Sequence, residues 1–438
     1  MLLQIVILQS AFNNFITDYD SSEEHCSPGP NITGHILTNN SKNWGSFANR
    51  AVLSLVGGNS KWDAVYFLDI AQNGYQYEQN MAFFPLLPLL VRSLGTLLKP
   101  IQICLSLSQK TTLTFAGTVI NMTAFPMAAV GLFCLTKSVF CNQKLAYRTS
   151  IFFCFNPASV FFSAAYSESV FAMTLFWGVF CLEQKPSRYL SAAFLFALGS
   201  GARSNGIVSI GFIGYRMLSE IYQSCQKLKV ATCSCWVLLG MLLLKTFHML
   251  LLVCIVGLPF VAFQYYGFVQ FCGSAENSPW CDSYLSLPYS YIQKHYWNVG
   301  FFKYYEFKQL PNFFLAMPIV LIGALGILDY LKNQTWNDIL SLGLASSTAC
   351  FHRAYSASRF VYAVHLGFLL VFGVTSMHVQ VRVKLILIMR LLIQSNDYNY
   401  IYINLSCTHY LSGCHPFCRV IFSHDLLDCC KLDYAAKM

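Results

Sequence analysis

Apolar residues in this chain come in long continuous runs separated by short polar loops, and the runs do not alternate in character. Continuous runs near twenty residues predict membrane-crossing helices, whereas a transmembrane barrel shows period-two alternation. The pattern predicts spans at about 112–136, 149–165, 168–183, 188–203, 206–222, 234–263, 312–331, 336–351 and 360–377. Residues 1–16 are apolar but short, and read as an N-terminal anchor with no small-residue cleavage site. Residues 81–98 are apolar but carry Pro85, Pro88 and Arg92. They read as an interfacial or re-entrant segment.

Composition sharpens this into a class. The chain has 438 residues, 55% hydrophobic and 11% charged; soluble domains carry about 25% charged residues. The expected fold is an all-α polytopic membrane protein of about 10 spans. The net charge of +9 sits largely in loops between apolar runs, so it bears on orientation and points to no nucleic acid. With 81–98 held on one side, Lys144/Arg148, Lys185/Arg188, Lys227/Lys229, Lys332 and Arg382/Lys384 share one face, which the positive-inside rule makes cytosolic. The opposite, lumenal face then receives Asp63, Glu78, Tyr166-Ser167-Glu168, Arg203-Ser204-Asn205, the loop 264–311 and His352-Arg353 to Arg359. It also carries the candidate glycosylation sites at Asn31 and Asn39. Four regions follow: the anchor 1–16, a first lumenal loop 17–80, a multi-span domain 81–380 and a tail 381–438 without a readable amphipathic pattern. No internal repeat is evident, which weakens an inverted-repeat transporter.

The densest chemistry lies just after the first apolar segment. Trp62-Asp63-Ala64-Val65-Tyr66-Phe67 runs on through Asn73-Gly74-Tyr75 to Glu78 and Phe83-Phe84-Pro85. A carboxylate at a membrane boundary is expensive unless it has a task, and it can serve as a general base toward a sugar hydroxyl. Asp63 and Glu78 are the catalytic candidates; the competing reading of each is a solvated loop acid. Trp62 and Tyr66 can stack on sugar rings or form an ordinary interfacial belt. Glu168 and Arg203 end adjacent predicted spans at one depth, so they are candidates for an ion pair. Alternatively, Arg203 offers its planar fork to a lipid phosphate, with Asn205 beside it. Tyr289 through Trp297, with Lys294, His295 and Tyr296 among them, mixes aromatics and cations in a way that suits a glycolipid pocket or an interfacial helix. Cys272 and Cys281 are candidates for a lumenal disulfide. Most of the 18 cysteines lie in apolar runs and act as small hydrophobes. Cys414-His415-Pro416-Phe417-Cys418 lacks a second matched pair, so no metal is predicted.

Taken together, these strings resemble the PIG-V family, the second mannosyltransferases of glycosylphosphatidylinositol (GPI) anchor synthesis, within the GT-C superfamily. The resemblance rests on Lys61-Trp62-Asp63 with Ile70-Ala71 and Gly74-Tyr75, Phe83-Phe84-Pro85, and Asn156-Pro157-Ala158 through Tyr166-Ser167-Glu168. It continues with Ala202-Arg203-Ser204-Asn205-Gly206, Trp280-Cys281, Pro288-Tyr289-Ser290-Tyr291-Ile292-Gln293 through Tyr296-Trp297-Asn298-Val299-Gly300, and Lys308-Gln309-Leu310-Pro311-Asn312. The strings keep the family's order over about residues 50–380; from about 382 the family pattern is no longer legible.

The resemblance implies a multi-pass enzyme of the endoplasmic reticulum membrane with a lumenal active site. Its donor would be dolichol-phosphate-mannose, its acceptor the mannosyl-glucosaminyl-phosphatidylinositol intermediate, and its product an α1,6 linkage. Asp63 maps onto the catalytic acid of the first lumenal loop. Because the donor is β-linked and the product α-linked, the expected reaction inverts, with one carboxylate as base. The departing phosphate needs a cation, with Arg203, Lys294, His295, Arg353 and Arg359 as candidates in that order. No cofactor is expected, and the residues name no protein partner. The alternatives are another lipid-linked GT-C glycosyltransferase and an inactive isoform with an altered tail.

Overall fold

Local sequence sets where the helices begin and stop. The computed structural model describes residues 46–155, 159–230, 235–273, 278–282, 287–303, 305–344 and 359–376. Among these there are helices and no strands. The anchor 1–16, the sites at Asn31 and Asn39, His352, Arg353 and the tail 381–438 lie outside the described residues.

Helix α1 (Phe47–Val56) is capped by Ser46, whose hydroxyl accepts from Asn49 N–H at 3.2 Å. After a 3-10 turn, α2 (Ala64–Asn73) ends at Gly74, whose φ of 80° only glycine adopts without strain. Helices α3 (Leu86–Leu97) and α4 (Lys99–Cys104) follow. The long α5 (Gln109–Phe140) starts at a Ser108 cap and stops at Cys141 in the left-handed region. Then come α6 (Gln143–Cys154), capped by Asn142, the short α7 (Val160–Ser163), α8 (Glu168–Glu183) and α9 (Tyr189–Ala202). A second group comprises α10 (Ile210–Val230), α11 (Cys235–Phe271) and the amphipathic α12 (Pro288–Tyr296). The last are α13 (Leu310–Lys332), α14 (Trp336–Leu340) and α15 (Phe360–Ser376).

Helix α5 is the axis. Helices α6 and α8 pack along it through a nest of Phe125, Phe153, Phe162 and Phe176, with ring centroids 5.1–5.7 Å apart. Helix α9 packs between α8 and α11. Among the described residues two helices, Gln109–Phe140 and Trp236–Phe271, are long and apolar enough to cross a membrane. The bent pair Leu310–Pro318 and Val320–Lys332 makes a third if taken as one span. Large apolar residues such as Leu243, Leu244, Phe247 and Leu258 face outward on α11, which is unstable in water and natural in lipid.

The bundle has two ends with different chemistry. Thr118 and Asn121 on α5 mark one, where Asp63, Glu168 and Arg203 lie. Phe140 and Glu183 mark the other, about 33 Å further along α5 at 1.5 Å per residue. Helix α3 stays at the first end: it begins beside Gly201 and finishes against Leu113. Its 12 residues give about 18 Å, short of a ~30 Å hydrocarbon core. This fits the interfacial or re-entrant reading of 81–98.

Two predicted spans differ in the structure. The 149–165 run is divided between α6 and the four-residue α7. In the described part of the 336–351 run, residues 336–344, the helix is Trp336–Leu340, started by a Thr335–Asp338 capping box; 345–351 lie outside the described residues. The Leu342 carbonyl accepts from the Tyr215 hydroxyl at 2.9 Å, next to Arg216 at the far end. Arg359 sits at that same end.

The turn after α9 depends on a close backbone approach. A Cβ on Gly206 would overlap the backbone of Gly199 and Ser200. Gly206→Ala is therefore expected to cost about 1–3 kcal/mol. The check is thermal unfolding of the detergent-solubilised protein, beside Gly211→Ala, where the added carbon meets nothing within 4 Å.

Candidate active site

Asp63 stands at the N-cap of α2, on an exposed position, and its side chain does not cap the helix. Trp62 before it has a φ of 55°, a conformation disfavoured for any residue with a Cβ. Such strain is typical where a fold aims a functional group. The turn is tied to the rest of the bundle by Tyr166, whose hydroxyl accepts the Asp63 backbone N–H at 3.2 Å.

Glu168 is the first residue of α8 and Arg203 the C-cap of α9. An acid at a helix N-terminus and a cation at a C-terminus each complement the helix dipole. Here the two ends meet, and Arg203 Nη1 lies 2.9 Å from Glu168 Oε1, with side-chain exposures of 24% and 8%. Burial alone would lower the Arg203 pKa. The charge and hydrogen bond of Glu168, with further contributions from Tyr289 and Asp63, outweigh it and raise the value above the ordinary one. Asp63 thus lies within electrostatic reach of the pair. Ser204 completes the turn by sharing a 2.7 Å hydrogen bond with the Tyr289 hydroxyl. The Tyr289 backbone N–H donates in turn to Gln264 Oε1 at 3.1 Å.

Aromatic rings line the side of this cluster. Tyr66 stacks on Phe83 at 4.5 Å, and Trp297 meets both edge-on at 6.4 and 5.9 Å. Trp62, 43% exposed, leans on Phe161 at 6.2 Å. Glu78 accepts a hydrogen bond from Ser278, in the loop closed by a Cys272–Cys281 disulfide with Cα atoms 5.5 Å apart. Burial, then the charges of Glu78 and Tyr291, raises the Tyr296 pKa and keeps its hydroxyl protonated.

The structure therefore brings Trp62, Asp63, Tyr66, Glu168, Arg203 and Trp297 to one end, with Glu78 and Tyr296 nearby. Asn205 is half-buried on the same 3-10 turn as Ser204. Lys294 and His295 are exposed on α12, roughly 140° and 120° around the helix from Tyr289. His295 stacks on Tyr291 at 5.3 Å instead. Arg353 lies outside the described residues.

Arg359 requires a correction. It is buried, with its guanidinium 4.1 Å from the centre of the Phe140 ring. Burial, opposed by Tyr330, Tyr362, Glu183 and Cys141, lowers its pKa to about 10. The 17 residues of α15, about 25 Å of helix, separate it from the end that holds Asp63. A cation seated on an aromatic face at the far end is a packing element there.

Four residues of the site were not singled out from sequence: Tyr166, Tyr289, Ser204 and Asn121. Tyr166, Tyr289 and Ser204 fall inside the strings quoted above, yet their hydroxyl partners come from distant parts of the chain. Asn121 carried no signal beyond being a polar residue inside an apolar run. Among the described residues no three His, Cys, Asp or Glu side chains cluster as a metal site would need.

The family model for Mannosyltransferase (PIG-V) matches residues 3–393. This chain belongs to the PIG-V mannosyltransferase family. The PIG-V match begins well ahead of the strings at 50–380 and ends shortly after residue 382. A human relative, GPI alpha-1,6-mannosyltransferase 2, is 36% identical over 405 residues, covering 86% of this chain and 77% of its own. The Drosophila melanogaster GPI mannosyltransferase 2 is 32% identical, covering 78% of each chain. The Schizosaccharomyces pombe GPI mannosyltransferase 2 is 31% identical, covering 67% of this chain and 60% of its own. No solved structure matches. The quoted strings that fall among the described residues, Asn156-Pro157-Ala158 lying outside them, thus include Asp63, Glu168 and Arg203, which meet at one end of the helical bundle.

Proposed function

We propose that this chain transfers the second, α1,6-linked mannose from dolichol-phosphate-mannose to the mannosyl-glucosaminyl-phosphatidylinositol intermediate, at the lumenal face of the endoplasmic reticulum membrane. The observation that carries the reading is the placement of Asp63. An exposed carboxylate on a strained turn stands within electrostatic reach of a half-buried arginine and beside an aromatic wall. The names of the relatives supply the sugar and the linkage.

In this reading Asp63 takes the proton from the acceptor hydroxyl as its oxygen attacks C1 of the donor mannose. The new C1–O bond forms as the C1–O bond to phosphate breaks, and dolichyl phosphate departs with the electron pair. Arg203 offsets the charge that grows on the departing phosphate. The exposed Trp62, and Trp297 backed by the buried rings of Tyr66 and Phe83, give a sugar ring an apolar surface. Glu78, held by Ser278, contributes to the rim more than to the proton transfer.

Orientation follows from charge. Lys144, Arg148, Lys185, Arg188 and Lys332 lie toward the far end, which the positive-inside rule assigns to the cytosol. The site end is then lumenal, and the chain a GT-C-like bundle of about ten spans.

The test is complementation of cells lacking the second GPI mannosyltransferase, scored by surface GPI-anchored protein. Rescue, with mannose transfer from dolichol-phosphate-mannose in their microsomes, is the expected result. Transfer to a different lipid-linked acceptor without rescue would favour another GT-C activity. A well-expressed chain with neither would overturn the assignment.

A further inference from the structure

We infer that Tyr166 is a positioning residue for Asp63, acting through its hydroxyl, an inference that rests on the reading of Asp63 as the base. The Asp63 backbone N–H lies ahead of the first turn of α2, where no intrahelical acceptor exists. Tyr166, 103 residues away, supplies that acceptor at 3.2 Å. The same hydroxyl faces the Lys61 carbonyl at 3.5 Å, which also accepts Ala64 N–H at 3.3 Å. One phenol oxygen therefore touches the turn on both sides of Trp62, the residue held at a φ of 55°. Left alone, a tryptophan there would relax toward an ordinary backbone region and swing Asp63 with it.

An anchor must itself be fixed, and Tyr166 is. It is 4% exposed. The Asn121 side-chain amide on α5 donates to the carbonyls of both Ala164 and Tyr166, the latter at 2.9 Å. Ala165 N–H donates to the Asn59 carbonyl at 3.1 Å, and Asn59 Nδ2 to Thr118 Oγ1 at 3.0 Å. Two residues beyond Tyr166 the chain enters α8 at Glu168, the partner of Arg203. A single clamped loop thus sets both the turn that carries Asp63 and the carboxylate that holds Arg203. Their relative position is then fixed through one short loop, where a displacement of about 1 Å can cost about a hundredfold in rate.

The experiment uses the full-length chain in detergent, with dolichol-phosphate-mannose as donor and the mannosyl-glucosaminyl-inositol lipid as acceptor. Rates are taken per molecule of monodisperse protein. Tyr166→Phe keeps the ring against Phe161 and removes only the oxygen. The expected result is a fall in kcat of about ten- to a hundredfold with KM for both lipids unchanged. In an Asp63→Ala background the same change should cost nothing further, because both act on one step. An unchanged kcat for Tyr166→Phe, or a loss confined to KM, overturns the inference. If Asp63→Ala keeps the wild-type rate, it is the assignment of the base that fails. If Asp63→Ala is inactive while Tyr166→Phe is normal, only the positioning role fails. Should Tyr166→Phe not accumulate, Asn121→Asp replaces it. It removes the amide donors that clamp the same loop, and the same kcat loss at constant KM is expected of it.

Discussion

Asp63→Asn is expected to lower mannose transfer by at least about a hundredfold while leaving the amount of folded protein unchanged. General-base catalysis typically contributes 10²–10⁴-fold, and asparagine matches the shape of aspartate but cannot take the proton. Stability should hold because the side chain stands at an exposed position and does not cap α2. The aromatic wall of Tyr66, Phe83 and Trp297 is untouched by the change. KM for donor and acceptor should therefore move little, which places the loss in the transition state. The measurement is single-turnover transfer of labelled mannose in microsomes, beside Glu78→Gln. Glu78 already accepts from Ser278, so its amide variant should retain most activity. Retained activity in Asp63→Asn, with loss in Glu78→Gln, would exchange the roles of the two acids.

Arg203→Gln is expected to destabilise the fold by about 3–5 kcal/mol, the usual cost of leaving one member of a buried pair without its partner. Glu168, with its side chain 8% exposed, would be left charged in a poorly solvated place or driven to take up a proton. Both charges also lose their favourable setting at the ends of α8 and α9. Removing both, as Glu168→Gln with Arg203→Gln, should restore most of that stability, since two amides of similar volume can replace the ion pair. Transfer should not return, because Arg203 no longer faces the departing phosphate. Thermal unfolding and transfer rate, measured on both single variants and the double, separate the two effects. A double variant that regains full transfer would make the pair purely structural.

Much of the helical plan was readable because its physics is local. Continuous apolar runs place α5, α8, α9, α13 and α15 within a few residues of their observed bounds, while α11 runs eight residues past its predicted end. The pairing of Glu168 with Arg203 was readable as well, because two charges at the ends of neighbouring apolar runs have few other stable arrangements. The start of the predicted crossing at 336–351 departs from a continuous helix for a reason outside the run itself. An apolar segment can span or fold back, and here the Tyr215 hydroxyl, from a helix more than 100 residues away, fixes Leu342 at the far end. Arg359 was misplaced as well, since it packs on Phe140 at the end away from Asp63.

What the sequence determined by itself is the class, the family and the acid to suspect: a helical membrane protein of the PIG-V family with Asp63 in its first polar loop. These depend on hydropathy, on residue order and on motif strings, which are properties of short stretches. Tertiary structure alone decided which cation stands near that acid, how the strained turn at Trp62 is held, and that Arg359 packs on Phe140 at the far end. Those depend on contacts across 30 to 180 positions, such as Tyr166 to Asp63, Arg203 to Glu168 and Tyr362 to Glu183 at 2.8 Å. Hydropathy scores each residue by its own transfer energy and carries no term for the partner that makes a buried polar group stable.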